Sequence, residues 1–380
     1  MWKLSGIAEH PYNDHFKLHH RICLNILKHF GFGQGVMEAR IKAEVEDLLG
    51  RVDDKKDEAF DPSFEITAAV SNVISSIIFG RSWSKDDPNF HEGLDIIHSF
   101  LSDDTNSIMI DFFPVVRYLP YYNQCIKNYK NLRKRWDSYI GNVIDDALKS
   151  DVENFCNLYL KEANISKIDI MEEDQLKNTI RDLFLAGTET TATTLLWFII
   201  IMANNQGVQK RVQNELDRVV GSNRLPCLED KPNLPITEAF ILEAMRFKTL
   251  VPMALVHLTT KETIIDGVLI PSGVMVMPNI YSAHMNSEDW VDPEIFKIER
   301  FLNDDQTQVV NRDLIIPFSL GKRACLGEIL AKQEIFLFTT SILHKYSILP
   351  KKCDEKIVVE EIIGITVSPS PFEARLVKRN

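Results

Sequence analysis

One cysteine in this chain stands where its sulfur could do chemistry. Cys325 closes the stretch Phe318-Ser-Leu-Gly321-Lys-Arg323-Ala-Cys325-Leu-Gly327. Gly321 permits a tight backbone turn, Gly327 removes bulk beside the thiol, and a helix is expected to begin directly after the cysteine. A thiol at a helix N-terminus, next to Arg323, has its thiolate favoured by the dipole and by the cation. No second Cys or His stands nearby, so neither zinc nor an iron–sulfur cluster is suited. A lone thiolate suits the proximal side of a haem iron, where the macrocycle supplies the other ligands. The plain alternative is an inert cysteine in a tight loop.

Two further patterns could serve such a centre. Ala186-Gly187-Thr188-Glu189-Thr190-Thr191 falls inside a long apolar helical pattern. Gly and Thr both lower helix propensity, and a local violation of that kind at a helix centre often marks a functional site. A Thr hydroxyl there can bond back to a carbonyl one turn earlier and locally widen the helix. Glu243 and Arg246, in Ile-Leu-Glu243-Ala-Met-Arg246-Phe, stand three apart on one helix face. The other five cysteines, at 23, 125, 156, 227 and 353, form no CxxC pair, which argues against a disulfide scaffold or a zinc ribbon.

The elements that must position these residues change character near residue 250. Before it, apolar residues recur at helical spacing over Tyr12–Phe30, Phe64–Phe79, Tyr129–Leu148, 172–203, Val208–Val220 and Ile236–Lys248. After it come short β-branched runs, Ala254–Thr260, Thr263–Ile270 and Val274–Met277, divided by Asp266-Gly267 and Pro271-Ser272-Gly273, so a small antiparallel sheet is expected. A meander follows over Asp289–Asp305, then a helix over Leu326–Tyr346, then a tail (Ile362–Val367, Phe372–Val377) that alternates like a hairpin. The expected fold is mainly α with a minor antiparallel β region (α+β), in a single domain over 1–380.

The 380 residues are 45 % hydrophobic and 26 % charged, an ordinary globular composition. The net charge of −11 disfavours a nucleic-acid partner, which needs a basic surface. The longest apolar stretch, Leu195–Ala203, is far short of the ~20 residues of a membrane span, and Met1–His10 lacks a secretory pattern.

The cysteine stretch resembles the signature of the cytochrome P-450 family, the haem-thiolate monooxygenases: Phe318, Gly321, Arg323, Cys325 and Gly327 meet all five fixed positions. At roughly one in twenty per fixed residue, a chance match is about one in ten thousand. The other motifs agree in order. The resemblance implies haem b (iron protoporphyrin IX) with Cys325 as axial iron ligand, and the family fold lacking its N-terminal anchor and first strands. It implies that Thr190 hydrogen-bonds dioxygen while Glu189 relays protons, and that Ala186 lies over the distal haem face. It places Glu243, Arg246 and Arg300 as a structural set pinning the meander. Arg323 and His257 would hold propionates. In the early helix, Phe16 and His20 occupy the family's Trp-x-x-x-Arg positions, and Arg21 is offset by roughly 100° of rotation. His15, His19 and His20 have no carboxylate or Cys partner at metal-ligand spacing.

The activity implied is insertion of one oxygen atom of O2 into a lipophilic substrate (xenobiotic, steroid or fatty acid). Electrons would come from NADPH through a separate flavin reductase, with cytochrome b5 a second partner. No nucleotide fingerprint is present: Gly31-Phe-Gly33-Gln-Gly35 reads as a helix stop. Lys17, Lys28, Lys322 and Lys332 are candidates for reductase docking. Phe184, Leu185, Val251, Leu255 and Ile365 are the expected substrate-pocket residues. The stretch 112–122 is expected to touch the bilayer, to roof the pocket or to pack as core. The style of the motifs resembles the animal microsomal clan and implies the cytosolic face of the endoplasmic reticulum membrane. A haem-thiolate isomerase or dehydratase, and a truncated, catalytically impaired paralogue, are the rival readings.

Overall fold

The computed structural model describes residues 6–32, 35–102, 110, 113–166, 173–352 and 354–379. Phe112, Gly33 and Cys353 lie outside them. Helix takes 59 % of the chain and strand 9 %, a mainly helical fold with small antiparallel sheets. The helices are α1 (Asp14–His29), α2 (Gly35–Asp53), α3 (Ser63–Ile78), α4 (Pro88–Ser102), α5 (Pro120–Lys149), α6 (Phe155–Ser166), α7 (Glu173–Asn204), α8 (Gln206–Val219), α9 (Pro235–Phe247), α10 (Ile280–His284) and α11 (Glu328–Lys345).

The chain clusters into two compact units, residues 1–40 with 70–189, and residues 41–69 with 190–380. In the first, α1 begins where Asn13 caps it, accepting the Phe16 N–H at 2.8 Å. It ends at Gly31, whose positive φ of 91° suits a glycine. α1 packs on α6, and α4 and α6 pack on α5. The core here includes Trp136 stacked on Phe184 at 6.4 Å, with Phe79 edge-on to Phe184 at 5.8 Å. Buried His19 bridges three side chains, with Nε2 3.0 Å from the Tyr159 hydroxyl and 3.2 Å from Thr179 Oγ1, and Nδ1 3.2 Å from Gln175 Nε2. Burial lowers its pKa to about 4, so the ring is neutral.

In the second unit, β6 (Tyr346–Pro350) and β1 (Ala59–Phe60) flank β9 (Ala374–Lys378) in an antiparallel sheet. Buried Gln209 and Gln213 on α8 tie that sheet down, donating to the carbonyls of Ile348 and Tyr346. α9 packs on α8, α11 and the 3-10 turn Ile298–Phe301. The expected small sheet after residue 250 divides into two separate ladders, β2 (His257–Leu258) with β5 (Met275–Val276), and the hairpin of β3 (Thr263–Ile265) with β4 (Val268–Ile270). Asp266 and Gly267 form the turn with positive φ at both positions. The tail is also not a single hairpin. β7 (Glu361–Ile363) pairs with β8 (Val367–Pro369), while β9 pairs elsewhere, because its buried Ala374 and Leu376 belong against the core.

Helix α7 passes the length and apolarity test for a membrane span, yet 72 % of its most apolar window is buried inside the protein, as in a core helix. The stretch before α5 is not packed core. Phe113, Val115, Tyr118, Leu119 and Tyr121 are exposed, Tyr118 by 80 %.

Candidate haem-thiolate site

The cysteine loop owes its shape to its own backbone. Ile316 accepts from the Ser319 N–H at 3.0 Å, Gly321–Arg323 form one 3-10 turn, and the Cys325 N–H returns to the Phe318 carbonyl at 2.9 Å. Gly321 takes φ +79°, which a glycine adopts without strain; Ser319, at φ +60°, is held there by its surroundings. Gly327 is the N-cap of α11. A Cβ added to it would lie 4.0 Å from the Cys325 sulfur, an ordinary contact, so Gly327 is not needed to clear the thiol within the polypeptide itself.

Cys325 is exposed as a residue, but the surroundings of its sulfur set the thiol chemistry. Desolvation raises the thiol pKa above its ordinary value and Glu328 adds to the rise, while the N–H groups of Gly327 and Glu328 pull it down. This corrects the expectation that dipole and cation together favour the free thiolate: the amides do act, but desolvation outweighs them. A bound metal cation reverses that balance by its own charge. The donor set fits haem iron. It is one sulfur at a helix start, and among the described residues no group of three His, Cys, Asp or Glu could hold a metal ion.

Behind the loop lies a fully buried charge set. Arg246 grips both oxygens of Glu243, at 2.8 and 2.9 Å, and neither side chain has any exposed surface. Its remaining donors reach the carbonyls of His284 and Pro293, each at 2.8 Å. Arg300 Nε meets Glu243 Oε1 at 3.4 Å, and the Lys297 N–H donates to the same oxygen at 2.9 Å. Arg300 also donates to the carbonyls of Val291, Asp292 and Ile295. One carboxylate thus joins α9 to the meander through two guanidinium groups.

Helix α7 runs unbroken through 186–191. Thr194 Oγ1 does bond back to the Thr190 carbonyl at 2.8 Å. Gly187 has a packing reason: a Cβ there would press to 3.2 Å from Ile74 Cγ1. Ala186 is exposed, Glu189 and Thr190 are half-buried, and Thr188 and Thr191 are buried. Thr191 donates to Glu334 Oε2 at 3.3 Å. Glu334 lies on α11 nine positions after Cys325, is 1 % exposed, and its Oε1 has no partner. Burial pushes its pKa well above the ordinary glutamate value, which favours the neutral acid. Sequence reasoning missed this residue; an acidic side chain directly before the apolar run Ile335–Phe338 is the signal that could have found it.

The other expected residues are dispersed. His257 is half-buried on β2, and Arg323 and Phe318 are half-buried in the loop, where the Lys332 ammonium lies 5.4 Å from the Phe318 ring. His20 is half-buried on α1, with its ring 5.4 Å from buried Phe16. Leu255 and Ile365 are exposed, and Val251 and Leu185 are half-buried. Phe184 is buried, with its ring stacked on Trp136 and edge-on to Phe79 in the first unit. A cleft of about 270 Å³ lined by residues such as Arg81, Trp83 and Arg135 contains none of the expected substrate residues.

A mainly helical chain with one loop cysteine heading a buried helix is compatible with a haem-thiolate oxidoreductase. The family model "Cytochrome P450" matches residues 1–376. The chain is 35 % identical to rat cytochrome P450 2U1 over 387 residues, covering 99 % of this chain and 72 % of that protein. It is 33 % identical to human cytochrome P450 2J2 (93 % and 71 %) and 34 % identical to Drosophila melanogaster cytochrome P450 18a1 (95 % and 70 %). The chain belongs to the cytochrome P450 family. It is a haem-dependent monooxygenase that uses NADPH-derived electrons supplied through a reductase.

Proposed function

We propose that Cys325 is the axial ligand of the haem iron and that the chain oxygenates lipophilic organic molecules such as xenobiotics, steroids or fatty acids. The observation that carries this reading is the closed loop Phe318–Cys325, which presents one sulfur at the head of α11 with the Gly327 and Glu328 amides directed at it. When bound, the haem supplies activation of O2 for insertion of one oxygen atom into an unactivated bond.

The polypeptide's part is binding, orientation and proton control. The Glu243–Arg246–Arg300 set keeps the meander in place. Arg323, His257 and His20 would hold the propionates, and Phe318 and Gly321 shape the loop. Thr190 would hydrogen-bond the oxygen substrate and Glu189 would deliver protons from solvent, a role supported by its half-buried position on the same helix. Ala186, Leu185, Val251, Leu255 and Ile365 would offer an apolar surface to the substrate; the exposure of Leu255 and Ile365 within their unit supports this.

The exposed apolar run of residues 113–121 supports contact with a bilayer, at the cytosolic face of the endoplasmic reticulum. Lys322 beside the loop is a docking cation for a flavin reductase or cytochrome b5. Lys332 is tied to Glu328 at 2.6 Å and Lys17 to Asp14 at 2.8 Å, so each would have to exchange a partner to dock.

The test is the reduced, carbon monoxide-bound spectrum of the chain supplied with hemin. The strongly red-shifted Soret band of a thiolate-ligated haem is expected, and Cys325→Ala should abolish it. Retention of the band in Cys325→Ala would refute the assignment. Product formation with NADPH and a reductase, lost in Thr190→Ala, then separates oxygenation from isomerisation.

A further inference from the structure

His284 ends the short helix α10 and has no exposed surface. Its two ring nitrogens face different partners. Nε2 lies 2.9 Å from the backbone N of Ile316, which can only donate, so this nitrogen is the acceptor and carries no proton. The proton therefore sits on Nδ1, 2.8 Å from Thr249 Oγ1, and the Thr249 hydroxyl in turn donates to the Arg246 carbonyl at 3.1 Å. Arg246 returns the contact, donating from Nη1 to the His284 carbonyl at 2.8 Å. The neighbours thus fix both the tautomer and the ring orientation. Burial and the Arg246 charge, which lower the ring's pKa to about 4, keep it neutral.

The far end of this chain of bonds matters most. Ile316 is two residues before Phe318, whose carbonyl receives the Cys325 N–H, and the Ile316 carbonyl itself receives the Ser319 N–H. Those two backbone bonds are local to the loop. The bond from the Ile316 amide to the imidazole joins the loop's entry to a histidine that Arg246 of the rigid Glu243–Arg246 pair holds by its carbonyl. We infer that His284 is a positioning residue: it clamps the entry of the cysteine loop through the Ile316 amide, and so fixes where the Cys325 sulfur stands, without touching the sulfur itself. The inference rests on the reading of Cys325 as iron ligand for its consequence, though not for its geometry.

Two variants separate the clamp from mere packing. In His284→Gln the side-chain carbonyl reaches the Nε2 position and can still accept the Ile316 N–H. In His284→Asn the shorter amide can replace only the Nδ1 bond to Thr249. The full chain is loaded with hemin, and amide hydrogen exchange at Ile316 is compared with that of the β6 amides as a reference for global opening.

His284→Asn should speed Ile316 exchange by about tenfold over the β6 reference, the factor for one lost hydrogen bond. It should also hasten loss of the thiolate-type Soret band of the reduced carbon monoxide complex. His284→Gln should restore both towards wild type. Equal exchange in Asn and Gln variants, or faster exchange with an unchanged lifetime of the thiolate band, would overturn the inference. If the wild-type chain shows no thiolate band, the reading of Cys325 has failed, and the exchange comparison alone decides the clamp.

Discussion

Replacing Arg246 with methionine is the most demanding perturbation of the fold behind the loop. The change removes a guanidinium with no exposed surface whose donors meet both Glu243 oxygens and two backbone carbonyls. Removing one member of a buried pair costs about 3–5 kcal/mol, because a charge is left in a low-dielectric interior. Here Glu243 keeps the Lys297 N–H at 2.9 Å and Arg300 at 3.4 Å, which pulls the value to the lower part of that range. Against roughly 5–15 kcal/mol for a whole fold, even about 3 kcal/mol is a large share. The double variant Glu243→Gln/Arg246→Met leaves neither charge of the pair, so it should cost about 1–3 kcal/mol less than the two single costs added. Urea denaturation read by tryptophan fluorescence suits the purpose, since the Trp290 ring lies 5.3 Å from the Arg246 guanidinium. If the single costs add within about 0.5 kcal/mol, or Arg246→Met costs under ~1 kcal/mol, the pair behaves like an exposed one and the argument fails.

Three further outcomes follow from single side chains. Glu334 has a folded-state pKa raised above 4.5, so its contribution is complete below pH 4.5 and is lost as pH rises through the folded-state value. Glu334→Gln should flatten that alkaline decline and remove the infrared carbonyl band of a protonated carboxylic acid; an unchanged spectrum would show the carboxyl is ionised. His19 and His284 are both held near pKa 4 against 6.5 unfolded, so each contribution is complete above pH 6.5 and is lost as pH falls towards 4. At about 1.4 kcal/mol per unit, each accounts for roughly 3 kcal/mol. His19→Gln should reduce proton uptake on unfolding in that window by one, and an unchanged uptake counts against a buried neutral ring. Gly187→Ala should gain helix propensity of about 1 kcal/mol only when Ile74 is also cut to Ala, since Ile74 Cγ1 crowds the new methyl at 3.2 Å. Equal effects in both backgrounds would show that Ile74 yields freely.

What is legible in the sequence follows local physics. The spacing of Trp136, Tyr139, Ile140, Val143 and Ile144 gives most of α5, and all five are buried. Its first nine residues, from Pro120, escape because the 112–122 stretch is apolar without period. α2 is passed over although Met37, Ile41, Val45, Leu48 and Val52 are buried at helical steps, since charged residues between them dilute the pattern. Strand partners are the least legible: β9 and the tail hairpin alternate alike, and only burial of Ala374 and Leu376 sends β9 to β6.

The site divides along the same line. Cys325, Glu243 and Arg246 are readable because their spacing within a dozen residues is fixed by one loop or one helical turn. Phe184 is less readable for the opposite reason: helical spacing does not show that its ring stacks on Trp136. Glu334 and His284 are invisible to any motif, because what makes each unusual is its surroundings. An acid is ordinary until a helix seals it from water, and a histidine is ordinary until an amide and a hydroxyl take its two nitrogens. Both belong to the second unit, one on the helix headed by Cys325 and the other bonded to the loop that precedes it. Two side chains whose behaviour depends on tertiary burial therefore lie on the elements that flank the cysteine: Glu334 on the helix after it and His284 bonded to the segment before it. That is the expected arrangement if the loop's job is to hold one thiolate under a fixed geometry, since local sequence can form a loop but only buried neighbours can keep it still.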